Sequence, residues 1–204
     1  MSKFLIVGLG NIGEEYSFTR HNIGFEIAEV LAHSMLKEDE KKSTLKESLR
    51  TKLFSPDKLA AINYSRFKGK SLVIIKPSTY MNLSGKALNY WMQAEKISIE
   101  NILIVADDLA LPFGTLRLNK KGGDGGHNGL TDIIATLGTN EFPRLRFGIG
   151  NEFSKGRQVN YVLGKWEEEE KKLLPSHIEK AIQIIKSFVS IGIERTMTGF
   201  NKKK

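Results

Sequence analysis

The sequence predicts an α/β domain in which helices cover both faces of a central sheet. Short apolar runs alternate along the chain with segments whose apolar residues recur at helical spacing. The length of 204 residues suits one domain. We find no internal repeat, low-complexity tract or linker, so we expect a single domain over residues 1–200, followed by a short tail at 201–204.

The N-terminal part predicts a strand and then a helix. The apolar run Phe4–Val7 ends at a glycine, which is typical of a buried strand. Apolar residues within 23–31 recur at i, i+4, i+7 and i+8, so they share one face of a helix. Asn22 or one of its neighbours is expected to cap that helix. Residues 37–52 are highly charged and predict a solvated helix or loop.

The middle of the chain predicts three strands. Leu59–Tyr64 and Ser71–Lys76 are joined by a turn that contains Gly69. Pro77 ends the second of these strands because proline has no N–H for the sheet. Ile102–Ala106 is apolar throughout, which indicates a strand in the centre of the sheet.

The C-terminal third predicts two helices and one strand. Apolar residues from 130 to 137 have helical spacing, and Gly138 stops that helix. Leu145–Gly150 follows as a strand. A final amphipathic helix is expected to start after Pro175. Asn201–Lys204 is a basic tail that we expect to be frayed.

The composition limits the function classes. The formal net charge of +8 favours a polyanionic partner, and nucleic acid is the first candidate. The chain has no cysteine, which excludes disulfides, a thiolate nucleophile and cysteine-ligated zinc, and fits a reducing cytoplasm. The apolar run at the N-terminus is too short for a signal peptide, and no stretch is long enough to cross a bilayer. We therefore expect a cytoplasmic protein with no membrane partner.

A dinucleotide-binding pattern occurs near the N-terminus. Gly8, Gly10 and Gly13 spell G-x-G-x-x-G after the first strand. In a true fingerprint the third glycine opens a helix whose N-terminus holds the pyrophosphate. Here Glu14 and Glu15 follow, and their charges would repel a phosphate. A nicotinamide enzyme therefore stays an alternative that a cofactor titration would test, while glycines of a tight loop explain the pattern more simply.

Four polar segments follow predicted strands and can converge on one cleft at the carboxyl edge of the sheet. They are residues 11–24, 76–85, 106–109 and 122–129. The sequence has no G-x-S-x-G elbow, no H-E-x-x-H pair and no Walker loop. No two of its four histidines have helical ligand spacing, so we expect no catalytic metal.

The residue types in these segments suit hydrolysis of an ester by activated water. A histidine can take a proton from water, and a carboxylate on its other nitrogen stabilises the imidazolium. Asparagine amides can bond the C=O and N–H of a peptide. Taken singly, each such residue is better explained as a turn or cap. His21 is expected to be the only histidine that has a carboxylate and several asparagines in the same cleft.

Five segments in order resemble the bacterial-type peptidyl-tRNA hydrolase family. They read GLGNIGEEYSFTRHNIGF, KPSTYMNLSG, DDLALPFG, GGDGGHNGL and RLRFGIG. The likeness continues to Gly199–Asn201 and leaves out only the charged 37–52 region. The resemblance implies one α/β domain with a mixed, twisted sheet that is monomeric and needs no cofactor. It also implies hydrolysis of the ester between a peptide and the 3′ end of tRNA.

The resemblance also implies roles for individual residues. His21 matches the catalytic base, Asp107 the carboxylate that supports it, and Asn11 the residue that distinguishes blocked from free aminoacyl ends. Positions that contact the peptide and the tRNA 3′ end are Tyr16, Tyr80, Asn82 and Asn128, and Met81 lines the substrate-binding cleft. Positions in the basic region for tRNA phosphates are Arg146 and Lys120, with Arg117 and Lys121 as further candidates. The choice of Asp107 over Asp108 comes from the resemblance alone.

Three positions depart from the family pattern. Tyr80 stands where phenylalanine is common, Ala110 replaces a frequent acidic residue, and Asp124 adds a charge to a loop that is often uncharged. Asp124 would weaken phosphate attraction nearby. None of these changes removes a catalytic group. A non-catalytic RNA-binding protein with the same cleft and charge stays an alternative, which a test for ester turnover separates from the enzyme.

Overall fold

A seven-stranded mixed sheet forms the centre of the molecule, as the sequence and the family resemblance lead us to expect. A computed structural model describes residues 2–36 and 53–201. The strands are β1 (Lys3–Gly8), β2 (Ser55–Asp57), β3 (Ala60–Phe67), β4 (Lys70–Pro77), β5 (Ile102–Asp108), β6 (Leu116–Asn119) and β7 (Arg144–Gly148). Their order is β2-β3-β4-β1-β5-β7-β6. Strands β4, β1, β5 and β7 are parallel, whereas the pairs β2–β3, β3–β4 and β6–β7 are antiparallel.

Helices cover both faces of this sheet, as predicted. They are α1 (Ile23–Ser34), α2 (Ser84–Ala94), α3 (Asn128–Leu137), α4 (Gln158–Val162), α5 (Glu168–Ile191) and α6 (Ile193–Phe200). Alternate residues of β1 point to opposite faces. Phe4 and Ile6 pack with α1 and α5, while Leu5 and Val7 pack with α2 and α3. None of the described helices is both long enough and apolar enough to span a membrane.

The predicted turns around the β3–β4 hairpin are partly correct. Gly69 lies in the turn with φ 74, a left-handed conformation that glycine adopts without strain. Leu59, which we predicted as the first residue of a strand, instead lies in the preceding turn with φ 62. The strand itself continues to Phe67, beyond its predicted end. Gly138 ends α3 with φ 67, which confirms the predicted stop.

The prediction that the last helix starts after Pro175 is wrong. Helix α5 starts at Glu168, and Pro175 lies inside it. A capping box fixes the earlier start, because the backbone N–H of Glu167 donates to the Glu170 carboxylate at 2.8 Å. Proline removes one N–H from the helix. Both Pro175 and Lys171, whose carbonyl loses that partner, are exposed, so water can replace the lost bond.

Several other boundaries also differ from the predictions. The sequence did not predict β2, β6, α2, α4 or α6. Asn22 does not cap α1 through its side chain, which instead bonds the backbone of Asn11. Asn201 is not frayed, because its amide accepts from the N–H of Leu118 at 3.1 Å and donates to the carbonyl of Leu118 at 2.6 Å. The charged 37–52 segment and the rest of the predicted tail lie outside the described residues.

Candidate active site

The first turn of α1 approaches two strand ends closely enough to form the floor of a site. An added Cβ at Gly24 would lie 2.4 Å from the carbonyl oxygen of Leu9 and 2.6 Å from that of Val105. Only glycine therefore permits this approach. The short 3-10 helix Arg20–Asn22 precedes Gly24, so the approach brings His21 to the carboxyl ends of β1 and β5.

A buried carboxylate joins two histidines at this edge. Nδ1 of His21 lies 2.8 Å from Oδ1 of Asp107, and Nε2 of His127 lies 3.1 Å from the same oxygen. The two imidazole centroids are 4.8 Å apart. The prediction that His21 alone has a carboxylate partner is therefore wrong. His127 was missed because its pairing depends on the N-terminus of α3 approaching β5, which no local pattern reveals.

The hydrogen bonds assign a proton to each imidazole. Nδ1 of His127 accepts from the N–H groups of Gly129 and Leu130, so the proton of this ring is on Nε2, which donates to Asp107. His127 thereby caps α3 through its side chain. In His21 the nitrogen that faces the carboxylate is Nδ1, which donates to it. Nε2 of His21 is then the basic nitrogen, and the carboxylate has fixed this tautomer.

The shared carboxylate is charged at neutral pH. Burial of Asp107 raises the pKa of its carboxyl group, but electrostatic attraction and hydrogen bonds from His127 and His21 outweigh burial. The resulting pKa of Asp107 lies well below its usual range. A negative charge at Oδ1 therefore favours any positive charge that develops on His21.

Hydrogen bonds with Asn11 fix Asn22, the residue that follows His21. Oδ1 of Asn22 accepts from the N–H of Asn11 at 2.8 Å, and Nδ2 of Asn22 donates to the carbonyl of Asn11 at 2.9 Å. Oδ1 of Asn11 accepts from the N–H of Met81 at 2.9 Å. The oxygen of this amide is thus already bonded, and Nδ2 of Asn11 is the part left to donate to a ligand.

Two recesses meet at His21. The first has a volume of about 80 Å³ and is bordered by charged groups and the glycine-rich loop. Its lining includes His21, Asp107, Asp108, Asp124, His127, Asn128, Arg146 and Val159. The second, of about 340 Å³, is largely apolar. It is lined by Asn11, His21, Tyr80, Met81, Asn82, Asn128, Val159, Val162 and Leu163.

Helix α4 borders both recesses and is held by the residue before the histidine. Arg20 is buried, and its guanidinium donates to the carbonyl of Lys165 and to Glu170, each at 2.7 Å. The same guanidinium lies 4.4 Å from the centre of the Tyr161 ring. The ring contact ties Arg20 to α4, which contains Val159, and the two hydrogen bonds tie Arg20 to the chain that follows α4.

The structure brings together most, but not all, of the expected substrate-binding residues. Tyr80, Met81, Asn82 and Asn128 line the larger recess, with Met81 buried and Tyr80 58% exposed at its rim. Tyr16 stands outside the residues that line the two recesses.

The expected basic residues are dispersed. Arg146 lines the smaller recess, and its Nη1 pairs with Asp108 at 3.0 Å. Lys120 pairs with Glu194 at 2.9 Å, Lys121 lies near Glu141, and neither lysine lines the two recesses. The exposed Arg117 neighbours Arg146 across β6 and β7. Phosphate contacts by these residues stay predictions.

The cluster of His21, Asp107 and His127 is compact enough for metal ligation, since its ligand atoms lie within 4.8 Å of one another. The hydrogen bonds fit a different arrangement. The nitrogens that face Asp107 both carry protons, and a metal ligand must present a lone pair instead. The donor set is therefore that of a hydrogen-bonded triad.

The glycine fingerprint lacks the helix that a dinucleotide needs. Gly13 has φ 114, and the residues after it form only the short 3-10 helix Glu14–Tyr16. A long helix with its N-terminus at the third glycine is the feature that binds the pyrophosphate. The geometry therefore disfavours the nicotinamide alternative.

Comparisons with known proteins identify the family of this chain. The family model for peptidyl-tRNA hydrolase matches residues 5–204. A peptidyl-tRNA hydrolase of Phocaeicola vulgatus is 53% identical over 201 residues, which is 98% of this chain and 100% of the relative. One of Cytophaga hutchinsonii is 50% identical over 202 residues, at 99% and 100% coverage. The crystal structure of peptidyl-tRNA hydrolase from Acinetobacter baumannii superposes with a TM-score of 0.81 at 37% identity and covers 98% of this chain and 95% of that one. The chain therefore belongs to the peptidyl-tRNA hydrolase family.

Proposed function

We propose that this enzyme hydrolyses the ester between a peptide and the 3′ end of tRNA, with His21 activating the attacking water. The observation that carries this proposal is the bond between Nδ1 of His21 and the buried Asp107. It leaves Nε2 as a base at the junction of the two recesses, where an ester that spans both would lie.

The reaction follows from this tautomer. Water attacks the ester carbonyl while Nε2 of His21 takes one of its protons. A carbon–oxygen bond forms to the water oxygen, and the imidazolium is stabilised by the carboxylate of Asp107. The bond to the 3′ oxygen of tRNA then breaks, and the proton on Nε2 passes to that oxygen. The products are a free peptide acid and tRNA with a 3′ hydroxyl.

The two recesses suit the two halves of such a substrate. The larger is apolar with asparagine amides at its edge, which fits the last residue of a peptide and its amide group. The smaller contains Arg146, which fits the tRNA side with its phosphates. Asn128 lines both and lies beside His21, so it can bond the substrate where the halves meet.

The proposed activity predicts a strong preference for N-blocked substrates. Nδ2 of Asn11 can donate to a peptide carbonyl but cannot accept from a charged ammonium. A free aminoacyl ester would have to desolvate that ammonium without a partner. We expect wild-type enzyme to cleave N-acetyl-aminoacyl-tRNA much faster than the unblocked form, and Asn11→Ala to erode the ratio of the two kcat/KM values.

The matched control is Asn89→Ala, because the Asn89 amide accepts from Gln93 within α2 and lines neither recess. This variant should keep the wild-type ratio. Equal cleavage of both substrates by the wild-type enzyme would contradict the assignment of the larger recess to the peptide. Absence of any ester turnover would instead favour an RNA-binding protein.

Arg146→Ala is expected to weaken binding of full-length tRNA substrates. A guanidinium binds phosphate through two donors and releases counterions. Its loss should raise KM for N-acetyl-aminoacyl-tRNA and flatten the dependence of log KM on log salt by about one unit. An esterified adenosine without the tRNA body should be affected much less. Steady-state kinetics at several salt concentrations measure both effects.

Arg66→Ala is the charge-matched control for this experiment. Arg66 is exposed on β3, opposite Ser71, and so lies at the edge of the sheet remote from the site. Its loss should leave the salt slope unchanged. A loss on the adenosine ester as large as that on tRNA would contradict a phosphate role for Arg146.

We propose that a monomer is active, as the family resemblance implies. Every group of the triad and both recesses comes from the described residues of a single copy. We also propose a cytoplasmic location, because the proposed substrate is formed during translation. Gel filtration of the active enzyme tests the first point.

A further inference from the structure

The two adjacent aspartates at the end of β5 contact different parts of the site. Asp107 faces the histidines, whereas Oδ2 of Asp108 accepts from Nη1 of Arg146 at 3.0 Å. Successive side chains of a strand point to opposite sides, which explains the divergence. The other oxygen of Asp108 accepts from the N–H of Ala110 at 2.8 Å, so the carboxylate is itself fixed.

The guanidinium of Arg146 is held at both of its terminal nitrogens. Nη1 donates to Asp108, and Nη2 donates to the carbonyl of Gly123 at 2.6 Å. Each Nη carries two protons, so one N–H on each is left for a ligand in the smaller recess. The side chain is 18% exposed, and that of Asp108 is 6% exposed. The two remaining N–H groups of Arg146 therefore face the recess from a pair of side chains that are nearly buried.

A second arginine stiffens the loop that supplies one of these contacts. Arg144 is fully buried and donates to the carbonyls of Gly122 at 2.8 Å and Gly123 at 3.0 Å. Its guanidinium lies 4.0 Å from the centre of the Phe142 ring. The carbonyl of Gly123, which accepts from Arg146, is thus also held by Arg144. Asp108 and the carbonyl of Gly123 therefore hold the guanidinium of Arg146, and Arg144 in turn holds that carbonyl.

We infer that Asp108 is a positioning residue that orients Arg146 toward the tRNA phosphate and takes no part in the ester chemistry. This inference rests on the proposed function of Arg146. A phosphate accepts two parallel N–H bonds only from a correctly turned guanidinium. Asp108 sets that orientation, so the adjacent carboxylates serve different halves of the substrate.

The carboxylate has two opposing effects on phosphate binding. Its charge repels a phosphate, but the ion pair with Arg146 at 3.0 Å offsets part of this repulsion. Its hydrogen bond orients both donors of Arg146, and no solvent replaces that effect. In Asp108→Asn the new oxygen can still accept from Ala110, which turns the amide NH₂ toward Nη1 of Arg146. Two donors then face each other, so the guanidinium is displaced.

The test compares KM for full-length N-acetyl-aminoacyl-tRNA with KM for the corresponding adenosine ester. Asp108→Asn should raise KM for the tRNA substrate relative to KM for the adenosine ester by on the order of threefold to tenfold. The same change made in an Arg146→Ala background should have no further effect, because Asp108 acts through Arg146. Asp57→Asn, on the opposite outer strand of the sheet, is the matched control.

Three outcomes would overturn the inference. They are an unchanged or lower relative KM in Asp108→Asn, an equal loss on both substrates, and an undiminished effect in the Arg146→Ala background. If Asp108→Asn does not fold, Asp108→Ser retains an oxygen for Ala110 and should give the same rise. If Arg146→Ala leaves KM for tRNA unchanged, the phosphate role itself fails. If Arg146→Ala raises KM for tRNA but the Asp108 variants do not, the positioning inference fails while the phosphate role of Arg146 stands.

Discussion

His21→Ala should lower kcat on N-acetyl-aminoacyl-tRNA by at least about 10²–10⁴-fold, the usual contribution of a general base. No second imidazole of the site can replace it. The ring of His127 carries its proton on Nε2, and its Nδ1 is occupied by the N–H groups of Gly129 and Leu130. The basic nitrogen at the junction of the recesses is that of His21.

Single-turnover hydrolysis at saturating enzyme separates the chemical step from binding and release. His33→Ala is the control, since His33 lies in the last turn of α1, away from the residues that line the recesses. Both variants should unfold at the wild-type temperature to within a few degrees. Near-normal turnover by folded His21→Ala would end the water-activation mechanism.

Asp107→Asn should lower kcat by about 10²–10⁴-fold while changing KM little. The amide oxygen of asparagine can still accept from both imidazoles, so the hydrogen-bonded geometry can persist. What is lost is the negative charge opposite the imidazolium, which exists mainly in the transition state. The pKa of Asp107 lies well below its usual range, so the carboxylate is ionised throughout neutral pH and the deficit should persist there.

The contrast with the neighbouring residue makes this prediction specific. Asp107→Asn should reduce kcat equally on full-length tRNA and on the adenosine ester, whereas Asp108→Asn should act mainly on KM for tRNA. Thermal unfolding of both variants checks that the site is intact. A larger kcat defect in Asp108→Asn than in Asp107→Asn would reverse the two roles.

The central strands and α1 could be predicted because their signals are local. Phe4–Val7 and Ile102–Ala106 are apolar on both sides, and residues 23–31 show the spacing of one helix face. Strand β6 has no such signal, because its four residues form a strand only by pairing with β7. The prediction at Pro175 failed because the capping box that begins at Glu167, eight residues upstream, outweighs one missing N–H on an exposed turn.

The site could be predicted only as a set of segments. Their position after strands indicated a shared cleft, and the family resemblance added the roles. Which of two adjacent aspartates faces the histidine depends on the phase of β5, and a strand buried on both faces has no polar alternation to fix it. The pairing of His127 with Asp107 joins residues 20 positions apart through the docking of α3.

The amide of Asn201 has a consequence for association between molecules. Strand β6 is the outermost strand of the sheet beside β7, and an uncovered edge invites a strand of another chain to add. The side chain of Asn201 bonds the N–H and carbonyl of Leu118 as a neighbouring strand would. One residue thereby occupies the central position of that edge. Asn201→Ala would reopen it, and the variant should aggregate more readily on concentration than the wild-type protein.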